Sequence, residues 1–79
     1  MDFRRLERFA KVYKATYPKG TRIELIMMGN DPRPIEQGTK GTVDHVDDLG
    51  TVHCTFDNGR RLGLIPEEDI FIVITDKKG

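Results

Sequence analysis

The chain has no tryptophan and a single cysteine, Cys54, among its 79 residues. An intramolecular disulfide is therefore impossible, which fits a reducing compartment. Aromatics are scarce as well, and four of the six (Phe3, Phe9, Tyr13 and Tyr17) fall in the first 17 residues. No apolar run approaches the ~18 residues of a membrane span. The start, "MDFRRLERFAKVYKATYP", has no uninterrupted apolar core of signal-peptide type. These absences lead us to expect a cytoplasmic protein without a membrane anchor. The length fits one small domain over 1–79 with a modest core.

Net charge is also missing, but only in the sum. Residues 1–22 carry seven Lys/Arg against two Asp/Glu, whereas residues 23–79 carry six against eleven. Such asymmetry suits a basic arm for nucleic acid. It equally suits a basic helix lying on an acidic body, in the same copy or another, and this second reading is preferred.

Asp2 is a good N-cap. At 100° per residue, Phe3, Leu6, Phe9, Ala10, Tyr13 and Tyr17 form one stripe, with Arg4, Arg5, Arg8, Lys11 and Lys14 mostly opposite. The pattern predicts an amphipathic helix over 1–17, ended by Pro18 and packed on the rest of the domain. Beyond it, short alternating segments predict about five antiparallel strands over 20–74, followed by a frayed tail at 75–79. In "GTRIELIMM", Ile23, Leu25 and Met27 share one face. Residues 29–41 read as a long loop with two prolines. "PEED" reads as a single turn with Pro66 first. Short strands at close spacing suggest a closed sheet, since closure removes aggregation-prone edges. The fold class is α+β, mainly β.

The segment "FDNGRRLGLIP" decides its own register. A two-residue loop at Asn58-Gly59 would put the apolar faces of the flanking strands on opposite sides. A three-residue loop, Asp57-Asn58-Gly59 with Gly59 left-handed, sets Cys54 against Leu62 and Val52 against Leu64 on one face. It also turns Arg60 and Arg61 to different faces.

Residues 20–71, with a strand ending in Met, an Asp-Pro loop, Gly38-x-x-Gly41-x-Val43, a Val-Asp-Asp turn and an aromatic-Asp-Asn-Gly hairpin, resemble the bacterial domain-of-unknown-function family 4314. The resemblance implies an SH3-like small β-barrel, often carried by mobile genetic elements of gut bacteria. It brings no activity and no catalytic residues. The Gly-x-x-Gly-x-Val run is also similar to the nucleic-acid-associated KOW type of barrel.

Chemistry is hard to find. His45, His53 and Cys54 lack the partners that complete a zinc set, and 53 and 54 point to opposite faces. Cys54 alternates inward, which makes it a poor nucleophile. Asp44, Asp47 and Asp48 fit no calcium loop, and Asp47-Asp48 reads as turn chemistry. Phosphate-cradling loops and nucleophile elbows are absent from the sequence. We expect no enzyme, no cofactor and no metal. The preferred expectation is a protein-interaction accessory of a bacterial mobile element, acting on or inhibiting a host or conjugation protein. Its contact surface would comprise Met28, Asp31, Pro32, Pro34 and Arg60. The rival is a nucleic-acid accessory using Arg4, Arg5, Arg8, Lys11 and Arg61. A homo-oligomer through the basic helix and acidic body is compatible with either.

Overall fold

The computed structural model describes residues 3–29 and 34–75, the side chains of residues 3–7 excepted. One helix, α1 (Phe3–Thr16), precedes five strands: β1 (Arg22–Met27), β2 (Lys40–Val46), β3 (Val52–Phe56), β4 (Arg61–Leu64) and β5 (Ile70–Val73). The strands form one antiparallel sheet in the order β4-β3-β2-β1-β5. The mainly-β, α+β architecture is as the sequence pattern predicts. No described helix is long and apolar enough to cross a membrane.

The hairpin has the three-residue loop. Gly59 has φ of 90°, and its N–H donates to the Phe56 carbonyl at 2.9 Å while the Phe56 N–H donates to the Arg60 carbonyl at 2.7 Å. Cys54 pairs with Leu62 and Val52 with Leu64. Only this register turns Val52, Cys54, Phe56 and Leu64 inward together, and all four are buried.

Two bulges overrule simple alternation. In β1 the register shifts between Leu25 and Met27. Leu25 is fully buried, but Met27 is 60% exposed, and Met28 packs on the core instead. The inward expectation for Met27 is thus corrected: an extra residue exchanges the two faces of a strand. In β2 the shift lies between Val43 and His45, so Val43 and Val46 both point inward and His45 comes to lie opposite His53.

The 29–41 segment is less loop than expected. The Gly38 N–H donates to the Leu25 carbonyl at 2.7 Å and the Leu25 N–H to the Thr39 carbonyl at 2.9 Å. Ile35 is buried in the core cluster, and β2 begins at Lys40.

The expected closed barrel is not formed; the sheet is open. β4 and β5 are its two edges, joined by residues 65–69. A flat sheet would set these edges about 19 Å apart, and the connection, which would reach about 20 Å only if fully extended, is folded into a turn, so the sheet must curl. The gap is bridged by a turn and the helix rather than by a ladder. Both the Glu68 and Asp69 N–H groups donate to the Ile65 carbonyl at 2.8 Å. Tyr17, just past the end of α1, meets Phe71 of β5 with ring centroids 5.2 Å apart, and the Tyr13 hydroxyl donates to Glu67 at 2.9 Å. Ala10 is buried, and Tyr13 lies over Gly50 in the β2–β3 turn. Of the apolar stripe, Ala10, Tyr13 and Tyr17 therefore pack on the chain's own sheet, where the body has few aromatics of its own.

Candidate interaction surface

Two of the basic residues of 1–22 find carboxylate partners in the later part of the chain. Lys14 Nζ contacts Asp48 Oδ1 at 2.7 Å, an exposed pair of small energetic weight. Arg22 grips Asp57 with both guanidinium nitrogens, at 2.8 and 2.7 Å, and also donates to Thr42 Oγ1 at 3.0 Å. Such a planar fork is the stronger geometry. Of the two, only Lys14 belongs to the helix that the preferred sequence reading lays on an acidic body; Arg22 begins β1.

The outer face of β2, β3 and β4 carries the polar cluster. The imidazoles of His45 and His53 stack, with centroids 4.5 Å apart and planes within 10°. His53 Nε2 lies 2.8 Å from Asp47 Oδ2. Asp47 Oδ1 accepts the N–H groups of Leu49 and Thr51, each at 2.9 Å. Burial opposes ionisation of Asp47, but the hydrogen bonds from His53, Thr51 and Leu49 together outweigh it and hold the carboxyl below its ordinary value. Beside these residues Arg61, Asp44 and Gly63 line a shallow depression of about 360 Å³. Among the described residues no group of three or more His, Cys, Asp or Glu is arranged to hold a metal.

The sign of the Asp47 effect gives a prediction. A carboxyl whose folded value is depressed contributes stability above its unfolded value, and loses it as pH falls through the folded one. Acidification below about pH 4 is therefore expected to lower the thermal midpoint. Asp47→Asn should lower the midpoint at neutral pH and flatten the acid slope. Equal acid slopes in the two proteins would contradict this role for Asp47.

Cys54 is buried and unpaired with another cysteine. Burial, helped by the nearby Asp44 carboxylate, pushes its thiol up to about 12. A thiol kept protonated is neither nucleophile nor metal ligand at neutral pH.

The residues singled out from sequence are spread over the molecule. Met28 is half-buried, and its sulfur lies 3.2 Å from the Ile35 N–H; Pro34 is exposed. Asp31 and Pro32 lie outside the described residues. Arg60 is half-exposed, with its N–H donating to Asn58 Oδ1 at 3.0 Å. The ladder separates it from Met28. Arg60 bonds Phe56, Phe56 pairs with Gly41 and Gly41 with Ile23, so Met28 lies five positions further along the chain than that row. Arg61 is exposed on the outer face beside Thr55. Arg8 and Lys11 are exposed on α1. Arg4 and Arg5 belong to the same helix, with side chains outside the described set.

A different surface emerges at the sheet edges. Edge strands need protection from pairing with other chains, and charged side chains provide it. Arg61 begins the β4 edge and Arg60 immediately precedes it. The β5 edge, "IFIV", has neither charge nor proline. Ile70, Ile72 and Val73 are 54%, 48% and 54% exposed, and Met27, which pairs with Ile70, adds to them. Sequence reading identified this strand and missed its edge position, which depends on the order of strands in the sheet. The signal available beforehand was its lack of any guarding residue.

Neither a curated protein nor a solved structure matches the chain. The family model described as Domain of unknown function (DUF4314) matches residues 6–74. The match takes in most of α1, which the resemblance over 20–71 had left out. With most of its length covered by that model, the chain belongs to the DUF4314 family.

Proposed function

We propose that this domain is a non-enzymatic protein-interaction module working in the cytoplasm. The observation that carries the reading is the unguarded apolar surface of Ile70, Ile72 and Val73 on the edge strand β5, extended by Met27 of the neighbouring β1. Exposed apolar residues that cluster on an edge suit contact with another chain. The protonated, buried thiol of Cys54 supports the non-enzymatic part. Service to a bacterial mobile element, and inhibition of a host or conjugation protein, complete the proposal and rest on the family resemblance and the acidic later part of the chain. In the nucleic-acid alternative, Arg4, Arg5, Arg8, Lys11 and Arg61 would take the phosphates. Lys14 and Arg22, which could have added to that set, already engage Asp48 and Asp57.

Two measurements test the proposal. Proteins retained by the immobilised wild-type chain are compared with those retained by Ile70→Glu, whose side chain is exposed and whose fold is checked by circular dichroism. A specific set that is lost in the variant is the expected result. In parallel, binding to random DNA and RNA is measured against salt. Affinity that falls steeply with salt and drops on replacing Arg4, Arg8 and Lys11 by Glu would replace the protein-binding reading with the nucleic-acid one.

A further inference from the structure

We propose that the opposite edge, β4, admits an extended acidic segment of another protein, which pairs with Arg61 and Gly63 and sets one carboxylate against Arg60 and the next against Arg61. This goes beyond the reading of β5 and stands or falls without it. The ladder fixes which backbone groups are available. The Phe56 N–H donates to the Arg60 carbonyl at 2.7 Å, so Phe56 and Arg60 form a hydrogen-bonded pair. Such pairs alternate along an antiparallel ladder. Cys54–Leu62 is therefore the next, with Thr55–Arg61 and His53–Gly63 in the positions between. The N–H and C=O groups of Arg61 and Gly63 thus point away from β3, out of the edge of the sheet. Gly63, which is almost all backbone, is partly exposed. The free stretch ends at Ile65, whose N–H donates to Asp69 Oδ2 at 2.7 Å.

The side chains decide what fits there. Arg60 stands opposite Phe56 on the inner face, and Arg61 stands opposite Thr55 on the outer one. The two arginines flank one edge from its two sides and do not converge on one anion. Successive residues of a strand alternate between faces in the same way. Two consecutive acidic residues of an incoming strand therefore meet one arginine each. Both guanidinium groups lack a carboxylate partner among the described residues. The nearby carboxylates are engaged, Asp44 by the Thr55 hydroxyl at 2.8 Å and Asp47 by His53. The depression lined by Arg61, Gly63 and His53 leaves room for the outer acidic side chain. A peptide strand supplies both the donors and the acceptors that the outward groups need. A DNA backbone offers acceptors alone and would leave the Arg61 and Gly63 carbonyls unmatched. The charge that keeps a second copy off this edge is also what selects an acidic occupant.

The probe is a short capped peptide of alternating threonine and valine with two consecutive glutamates at its centre, titrated into the isotope-labelled full chain. It is expected to bind at submillimolar concentration, more weakly as salt rises, and to slow exchange of the Arg61 and Gly63 amides. The same peptide with lysines in place of the glutamates should not bind, nor should the glutamate peptide with its central backbone nitrogens methylated. Arg61→Glu, with its fold checked by circular dichroism, should weaken binding of the glutamate peptide roughly tenfold. Arg8→Glu, on the exposed side of α1, should leave it unchanged. No binding of the glutamate peptide at millimolar concentration overturns the proposal. Equal binding of the methylated peptide overturns it too, since charge alone would then account for the contact. So does a loss in Arg8→Glu as large as that in Arg61→Glu. If oligothymidine binds where the peptide does not, and Arg61→Glu releases it, the occupant of this edge is a nucleic acid and the peptide reading fails.

Discussion

Phe56→Ala is expected to leave the domain largely unfolded at room temperature. Phe56 is the largest fully buried side chain among the described residues, and truncating a buried phenylalanine costs about 3–5 kcal/mol. A domain of this length has about 4–12 kcal/mol of stability in total. The site also has little capacity to collapse around a cavity. Gly41 lies beneath the ring, and a Cβ there would meet Phe56 Cδ1 at 3.0 Å and the Thr55 carbonyl at 3.1 Å. That close approach already brings backbone against ring, so the strands have no further inward movement to offer. Urea titration followed by circular dichroism should show a loss of most of the transition. A midpoint close to the wild type would mean that the core does not depend on this ring.

Asp69→Asn is expected to cost about 2–4 kcal/mol, although it changes neither size nor shape. Asp69 is the only polar or charged residue buried among those described. One carboxylate oxygen accepts the Gly29 N–H and the other the Ile65 N–H, both at 2.7 Å. It thereby ties the exit of β1 to the turn that carries the chain from one sheet edge to the other. An amide has one accepting oxygen, so its NH₂ group must face one of these two donors and leave it unsatisfied. The comparison is Glu67→Gln on the exposed neighbour, expected to change stability by less than about 0.5 kcal/mol. Urea midpoints of both variants measure the difference. If Asp69→Asn and Glu67→Gln shift the midpoint equally, the clamp has no energetic role.

The two residues also show where reading the sequence succeeded and where it did not. Phe56 was legible, because its burial follows from alternation in β3 and from a hairpin register that only one loop length satisfies. Asp69 was read as a carboxylate suited to the first turn of a short helix. Its actual partners lie four and forty residues away, and nothing in local pattern announces the second. Asp47 is a similar case, read as turn chemistry. It does order the turn through the Leu49 and Thr51 N–H groups, but its bond to His53 depends on cross-strand placement.

Local physics alone determined the helix and its apolar stripe, the five strands, the bulged hairpin and the inert character of Cys54. Each depends on residues close in sequence: a period of 3.6 or 2, a proline that ends a helix, a glycine that accepts positive φ. Tertiary structure decided which strands became edges, that the sheet stays open, and that Met27 faces solvent while His45 stacks on His53. Bulges and strand order arise from fitting whole elements around one small core, and a single inserted residue exchanges the faces of everything beyond it. The apolar edge of β5 belongs to this second group, since any strand of that composition reads as core until its neighbours are known.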